Sequence, residues 1–317
     1  MNPAADTGTA RRLDTLIRTI TWSALIGALL YLGLGLWVGW RDLWQSFVRI
    51  GFMAFALGLA ASTLGYGLRF ARWQWLLHAM QAPVPVRASL PIYVGGLALT
   101  ATPGKVGETI RTLLLMRFGV PAGSSLAAFF IDRLSDLVGV LALAAIAGLD
   151  LRWAAGAASM AAAGFGLRWL VNHPRLVARL HTRHPHPRWQ RAFALAETGR
   201  TQYLAAWREA YVPGYVLVAI AAYGAQSLVF GLYVQVLWPG IDLMTAVYIF
   251  VIATLVGAAS MIPGGLGAME VTMIAMLVAR GVAPLEATAA AVAIRTVTLW
   301  FGILLGILNL MFIRKRV

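Results

Sequence analysis

Residues 242–281 read DLMTAVYIFVIATLVGAASMIPGGLGAMEVTMIAMLVARG, an apolar stretch broken near its middle by Ile262-Pro263-Gly264-Gly265-Leu266-Gly267. Proline removes a helix donor and glycine permits tight backbone bends, so the stretch predicts two short helices around a turn. A bilayer core takes about 20 apolar residues of continuous helix, and neither half crosses it comfortably. The expected form is a re-entrant hairpin. A second stretch, Leu90 to Gly119, breaks in the same manner at Thr102-Pro103-Gly104-Lys105-Val106-Gly107.

The rest of the chain sets these hairpins in a membrane. Of 317 residues, 60% are hydrophobic and 12% charged, and mean hydropathy is +0.75. Soluble domains carry about twice that share of charge, so a water-soluble fold is excluded. Uncharged runs mark the spans: Ile20–Trp40, the run between Arg49 and Arg69, Pro121–Leu149 (interrupted by Asp132, Arg133 and Asp136), Leu151–Val171, Pro213–Trp238 and Pro284–Ile313. The expected fold is an all-α polytopic membrane protein of about six transmembrane helices plus two re-entrant hairpins. Residues 1–317 are expected to form a single integral membrane domain.

The net charge is +14, carried almost entirely by Arg, since only Lys105 and Lys315 are lysines. A pI near 11.1 would suggest nucleic acid in a soluble protein. Here the cations lie between apolar runs, where the positive-inside rule accounts for them and no nucleic-acid partner is implied. With the hairpins left uncounted as spans, Arg11, Arg12 and Arg18, then Arg69, Arg72 and Arg87, the basic loop 173–211, and Arg314-Lys315-Arg316 all fall on one face. Both termini are thus expected in the cytoplasm. Loop 173–211 opposes seven Arg with only Glu197 and Glu209, which suits an amphipathic surface helix on anionic lipid. Arg69, Arg72, Trp73 and Trp75 are expected as an interfacial anchor, with headgroup recruitment as the alternative. Cysteine is absent, which removes disulfides, thiolate metal sites and Cys nucleophiles. His173, His181, His184 and His186 are interspersed with proline and suggest metal only weakly. No cofactor is implied.

The hairpins match each other in sequence. Pro103, Gly104 and Gly107 correspond to Pro263, Gly264 and Gly267 at an offset of 160; after a two-residue insertion, Glu108 pairs with Glu270, Leu115 with Leu277, Gly119-Val120 with Gly281-Val282 and Arg133 with Arg295. Residues 90–149 and 242–313 thus read as two copies entering from opposite sides. Interrupted helices at matching places of inverted halves point to a transporter's binding site. Their unwound backbone requires protein or water around it, so hairpin tips at Gly104 and Gly264 are expected to meet in a polar cavity.

A charge at the bilayer centre costs about 2.5–3.5 kcal/mol on insertion scales and normally faces a partner or water. Asp132 and Asp136 share one helix face, with Arg133 about 100° around. Glu108 and Glu270 follow their breaks within the first turn of a half-helix, where the dipole favours a carboxylate. Two readings of the arginines stand together. Arg133 with Glu108 and Arg295 with Glu270 could pin each hairpin to the following span. Alternatively, Arg133 and Arg295, joined by Arg111 and Lys105, could receive an anionic headgroup, since guanidinium meets phosphate through a planar donor fork. Glu108, Glu270, Asp132 and Asp136 would then serve as counter-charges or coupling groups.

The run Thr102-Pro103-Gly104-Lys105-Val106-Gly107-Glu108-Thr109-Ile110-Arg111, the Gly119-Val120-Pro121 turn and Ile131-Asp132-Arg133-Leu134-Ser135-Asp136-Leu137, with their second-copy counterparts, resemble the flippase-like family, also called the lysylphosphatidylglycerol synthase transmembrane region. The resemblance covers essentially the whole chain. It implies a bacterial inner-membrane protein whose relatives move lipids between leaflets, with Glu108, Arg111, Asp132, Arg133, Glu270 and Arg295 on the motif positions. The family commonly has Glu-Arg where Asp132-Arg133 stands, a departure that keeps the charge. The synthase's soluble aminoacyl-transferring domain has no counterpart stretch here, so a lipid-modifying enzyme encoded separately is an expected partner. The expected function is translocation of a phosphate-bearing lipid headgroup, without catalysis. The alternatives are an intramembrane lipid-phosphate enzyme and a non-transporting member of a lipid or glycan pathway.

Overall fold

The computed structural model describes residues 39–100, 111–112, 114–173 and 187–314, together with positions 29 and 33. The described elements are helices: α1 (Trp40–Ala79), α2 (Val86–Leu97), α3 (Ala122–Gly148), α4 (Leu151–Val171), α5 (Pro187–Ala206), α6 (Val212–Leu237), α7 (Leu243–Ala259), α8 (Ala268–Val278), α9 (Pro284–Arg295) and α10 (Phe301–Arg314). A 3-10 turn, Pro263–Gly265, separates α7 from α8, and a π turn, Thr296–Trp300, joins α9 to α10. Among the described residues, four stretches are long and apolar enough to cross a membrane: Trp40–Ala79, Leu151–Val171, Val212–Leu237 and Pro284–Phe312. Helix α3 is 27 residues long but carries Asp132, Arg133 and Asp136. The expected span Ile20–Trp40 lies almost wholly outside the described residues.

Helix α1 departs from the span expected between Arg49 and Arg69. It begins at Trp40, turns at Gly51 (φ 81, ψ 157), and continues to Ala79. That backbone conformation costs a residue with a Cβ and is open to glycine. Before the turn, Leu43, Ser46 and Ile50 are buried while Trp40, Trp44 and Val48 lie exposed on the other side. Beyond it, Arg69 and Arg72 stand inside the helix and not at its end.

The chain divides into two compact units. The first holds Met1–Leu59, Val94–Thr109 and Val229–Val317. Its core gathers Phe230, Tyr233, Phe250, Met273 and Leu277 against the α9 residues Ala287, Ala289, Ala290, Ala291 and Ala293. Such small side chains let helix backbones approach closely, which is how apolar helices associate where lipid offers no hydrophobic driving force. The second unit, Ala60–Tyr93 with Ile110–Leu228, is built on Trp73, Leu76, Leu77, Ile131, Tyr203, Trp207 and Tyr215. There α3 packs on α4 and α5. Helix α5 occupies the expected basic loop, and Arg168 of α4 donates from Nη1 to the carbonyls of Leu204 and Trp207, at 2.5 and 2.7 Å. This satisfies carbonyls that the end of α5 leaves open.

The Gly-Val positions matched between the copies fold alike. Gly119 and Gly281 take φ of 78° and 88°. Val120 N–H donates to the Leu115 carbonyl at 3.3 Å, and Val282 N–H to the Leu277 carbonyl at 3.2 Å. Gly119 and Gly281 donate to Met116 and Val278, at 3.1 and 2.9 Å. Both are the helix-ending motif in which a left-handed glycine closes the last turn and its successor packs on the residue whose carbonyl it caps. The next helices start from near-identical caps, Pro121 (φ −60, ψ 146) and Ala283 (φ −64, ψ 145).

Candidate functional site

In the second unit, α3 places Asp132 and Asp136 on its buried face, at 4% and 5% exposure. Arg72 of α1, itself fully buried, reaches both. Its Nε and Nη2 donate to Asp132 Oδ1 at 2.8 and 2.5 Å, Nη2 also to Asp136 Oδ1 at 2.6 Å, and Nη1 to the Tyr215 carbonyl at 3.2 Å. Arg133 takes the opposite oxygens, with Nη2 at 2.5 Å from Asp132 Oδ2 and 3.3 Å from Asp136 Oδ2. The Tyr223 hydroxyl donates to Asp136 Oδ2 at 3.4 Å. Each carboxylate is thus bridged by two guanidinium groups, which answers the desolvation cost of charge inside an apolar protein. The four charges balance.

Arg72 and Trp73 were expected at the membrane surface as an anchor. Their exposures of 0% and 1% place them inside the unit, because α1 runs on past Arg69 and α3 supplies the counter-charge. Trp75 remains partly exposed, at 36%. The sequence signals the need for a further cation without naming it. Two aspartates beside a single Arg133 in an apolar helix need another cation.

Two further arginines border this group. Arg111 is buried at 8%, with its guanidinium carbon 4.8 Å from the Trp73 ring centre and 5.0 Å from that of Tyr93. Arg69 lies over Tyr223 at 4.2 Å. Arg133 differs from its neighbours, since 52% of its side chain is exposed. The structure therefore sets Asp132, Arg133 and Asp136 together with Arg72, and places Arg69 and Arg111 at the border of that group.

In the first unit, the broken stretch centres on Arg295. Its Nε donates to Glu270 Oε1 at 2.7 Å, its Nη2 to the Gly264 carbonyl at 2.5 Å, and its Nη1 meets Met269 Sδ at 3.5 Å. Glu270 Oε2 accepts from Gly267 N–H at 2.8 Å, so the carboxylate caps α8 while it holds the arginine. Gly264, Gly265 and Gly267 all have positive φ, which lets the chain reverse within the Pro263–Gly267 segment. At 5% exposure, Arg295 is buried against Glu270 and the Gly264 carbonyl. Its α9 continues into the π turn, a form that recurs at functional positions.

The copies differ for a reason visible in sequence. At the offset of 162, Asp132 and Asp136 correspond to Ile294 and Thr298, so Arg295 lacks aspartates on its own helix and turns to Glu270. Pro103, Gly104, Lys105, Gly107 and Glu108 lie outside the described residues, as do His181, His184 and His186; so do the expected Arg133–Glu108 pair and the meeting of tips at Gly104 and Gly264. Among the described residues no group of His, Asp and Glu is placed to hold a metal ion.

Residues 24–306 match the family described as the lysylphosphatidylglycerol synthase TM region. No curated protein matches the chain. The match covers both arginine sites and the broken stretch between α7 and α8, and it is to the transmembrane part of the synthase, not to its catalytic part. The chain is a multi-pass membrane protein with a lipid-related function, and it belongs to the lysylphosphatidylglycerol synthase TM region family.

Proposed function

We propose that the protein is a lipid translocase, moving a phosphate-bearing headgroup of a phospholipid, aminoacylated or glycosylated lipid across the bacterial inner membrane. The observation that carries this reading is the Arg72–Asp132–Asp136–Arg133 group. It is a charge-balanced core in the middle of an apolar helix, and one guanidinium, Arg133, is half-exposed. Arg72 holds the aspartates in place, while Arg133 offers phosphate its planar fork. The headgroup would pass along such polar groups while the acyl chains stay in lipid.

The topology follows the same reading. Helices α7 and α8, of 17 and 11 residues, measure about 26 and 17 Å at 1.5 Å per residue, short of a hydrocarbon core of about 30 Å. That supports a re-entrant hairpin, held at its break by Arg295 and Glu270. The matched Gly-Val turns support two copies of one unit, inverted in the membrane with both chain termini in the cytoplasm. Lys105 and Glu108 would act at the other hairpin's tip. The cargo would be made by a separately encoded enzyme.

Reconstitution of the full chain in liposomes with headgroup-labelled lipids tests this, with leaflet exposure and headgroup chemistry read together. Movement of an unmodified headgroup is the expected result. A chemically changed headgroup would indicate an intramembrane enzyme, and neither result across a broad lipid panel would indicate a non-transporting partner.

A further inference from the structure

All four oxygens of Asp132 and Asp136 are engaged by Arg72 and Arg133, with Tyr223 adding to one of them. In the other unit both oxygens of Glu270 are likewise engaged, one by Arg295 and one by Gly267 N–H. A cargo ammonium would have to share these oxygens with donors already in place.

The cations are in a different position. Among the described residues, the second unit's cluster sets Arg69, Arg72, Arg111 and Arg133 against Asp132 and Asp136, four positive charges to two negative. Adding Glu108, which lies outside the described residues, would still leave the group positive. Arg69 makes the imbalance concrete, because its Nε and Nη2 are buried without a hydrogen-bond partner among the described residues. Its guanidinium lies on the Tyr223 ring, and that residue's hydroxyl points to Asp136 beside Arg133. Arg111 lies over the rings of Tyr93 and Trp73, and Trp73 follows Arg72 in the chain, so this arginine borders the same group. Buried donors left unpaired cost free energy. A protein that keeps them at such a locus holds them for an acceptor that arrives.

We propose that Arg69, with Arg111 and Arg133, forms a receptor for the phosphate of a net-negative lipid headgroup, and that this site disfavours headgroups carrying an ammonium. The inference rests on the translocase reading and narrows its cargo: a phosphomonoester or an uncompensated phosphodiester fits, whereas an aminoacylated headgroup does not. Guanidinium forks suit the planar spread of phosphate oxygens, and two or three of them supply the charge-assisted bonds that Arg69 lacks in the unliganded protein.

The test uses the full chain in detergent, with thermal midpoint followed against added phosphatidic acid, phosphatidylglycerol, phosphatidylethanolamine, lysyl-phosphatidylglycerol and inorganic phosphate. The two anionic lipids are expected to raise the midpoint in a saturable manner, at half-saturating concentrations at least tenfold below those of the zwitterionic and cationic lipids. Equal potency of lysyl-phosphatidylglycerol or phosphatidylethanolamine overturns the charge selectivity. Inorganic phosphate matching the lipids at equal concentration overturns the lipid as its source. Arg69→Met is expected to raise the half-saturating phosphatidylglycerol concentration at least tenfold. An unchanged half-saturation overturns the proposal whatever the lipid-free midpoint does. Arg69→Lys keeps the charge without the fork and is expected to lose several-fold, while the exposed Arg87→Gln is expected to lose nothing. Translocation measured on the same variants separates the two readings. Movement indifferent to Arg69 leaves the translocase standing without this receptor, and Arg69-dependent binding without movement does the reverse.

Discussion

Arg72 holds Asp132 by two of its nitrogens, Nε at 2.8 Å and Nη2 at 2.5 Å, both on the same carboxylate oxygen. The second aspartate, at 2.6 Å, and the Tyr215 carbonyl complete its coordination. Removing one side of a buried ion pair leaves the other uncompensated, at a cost of about 3–5 kcal/mol. Arg72→Gln is therefore expected to lower the thermal midpoint sharply. Arg72→Lys should not restore it, since an ammonium cannot span two carboxylates and a carbonyl in that geometry. A midpoint within about 2 °C of the parent for Arg72→Gln would remove the ion pair from its structural role.

Arg295 and Glu270 act on backbone as much as on each other. The guanidinium holds the Gly264 carbonyl, and the carboxylate holds the Gly267 amide. Glu270→Gln keeps an acceptor for that amide but loses the charge opposite Arg295, whereas Glu270→Ala loses both. Hydrogen exchange at Gly264–Gly267 is expected to quicken in the order parent, Glu270→Gln, Glu270→Ala. Arg295→Ala should loosen the same amides, and exchange confined to some other segment would refute the pinning role.

Gly119 and Gly281 occupy equivalent left-handed positions. A Cβ there costs about 1–2 kcal/mol, since L-residues resist that conformation. Gly119→Ala and Gly281→Ala are expected to destabilise by similar amounts, with asparagine milder at either site. No atom lies within 4 Å of where either new Cβ would sit, so the loss would measure backbone strain and not a clash. A strong effect at one glycine and none at the other would mean that the two turns do not play the same part.

These turns, the broken stretch and the Arg295–Glu270 pair were legible because proline, glycine and charge are scarce signals against an apolar background. Asp132 and Asp136 were legible as a shared face, four residues apart on a helix. Arg72 was not. It lies 60 residues from Asp132, and an arginine after an uncharged run reads as the end of a span. What decides its place is tertiary: α1 continues to Ala79 and two aspartates of α3 compensate the charge. Arg69 was read with it as an interfacial anchor or a headgroup contact, and its place on the Tyr223 ring was hidden for the same reason. The kink at Gly51 was equally hidden, since a lone glycine in an apolar run is common packing material until its φ is known.

Asp242 caps α7, accepting the Thr245 amide at 3.0 Å and the Thr245 hydroxyl. These bonds, the hydroxyl's first, hold its carboxyl below the ordinary value of 3.8. A folded-state value below the unfolded one means stability that is present above the unfolded value and lost as pH falls through the folded one. Protection of the Thr245 amide should therefore persist down to about pH 4 and decline only below it. Asp242→Asn keeps a capping oxygen, and its protection should no longer depend on pH in that range; Asp242→Ala should lose about 1 kcal/mol at neutral pH. A decline in the parent that begins above pH 5 would assign the dependence to some other group.

Arg133 separates folding from transport. Arg72 reaches both aspartates from the buried side, so Arg133→Gln leaves each of them one guanidinium contact and should lower the thermal midpoint less than Arg72→Gln does. Its half-exposed guanidinium is nonetheless the group best placed to meet a headgroup phosphate. In reconstituted liposomes the translocation rate should fall at least tenfold for Arg133→Gln. Arg133→Lys should lie between, because it keeps the charge and loses the two-pronged donor. Since Asp132 Oδ2 sits 2.5 Å from Arg133 and Oδ1 is held by Arg72, Asp132→Asn should cost more stability than Arg133→Gln and should cost transport as well. Parental rates in Arg133→Gln would leave this arginine a counter-charge to the aspartates and require the headgroup to pass elsewhere.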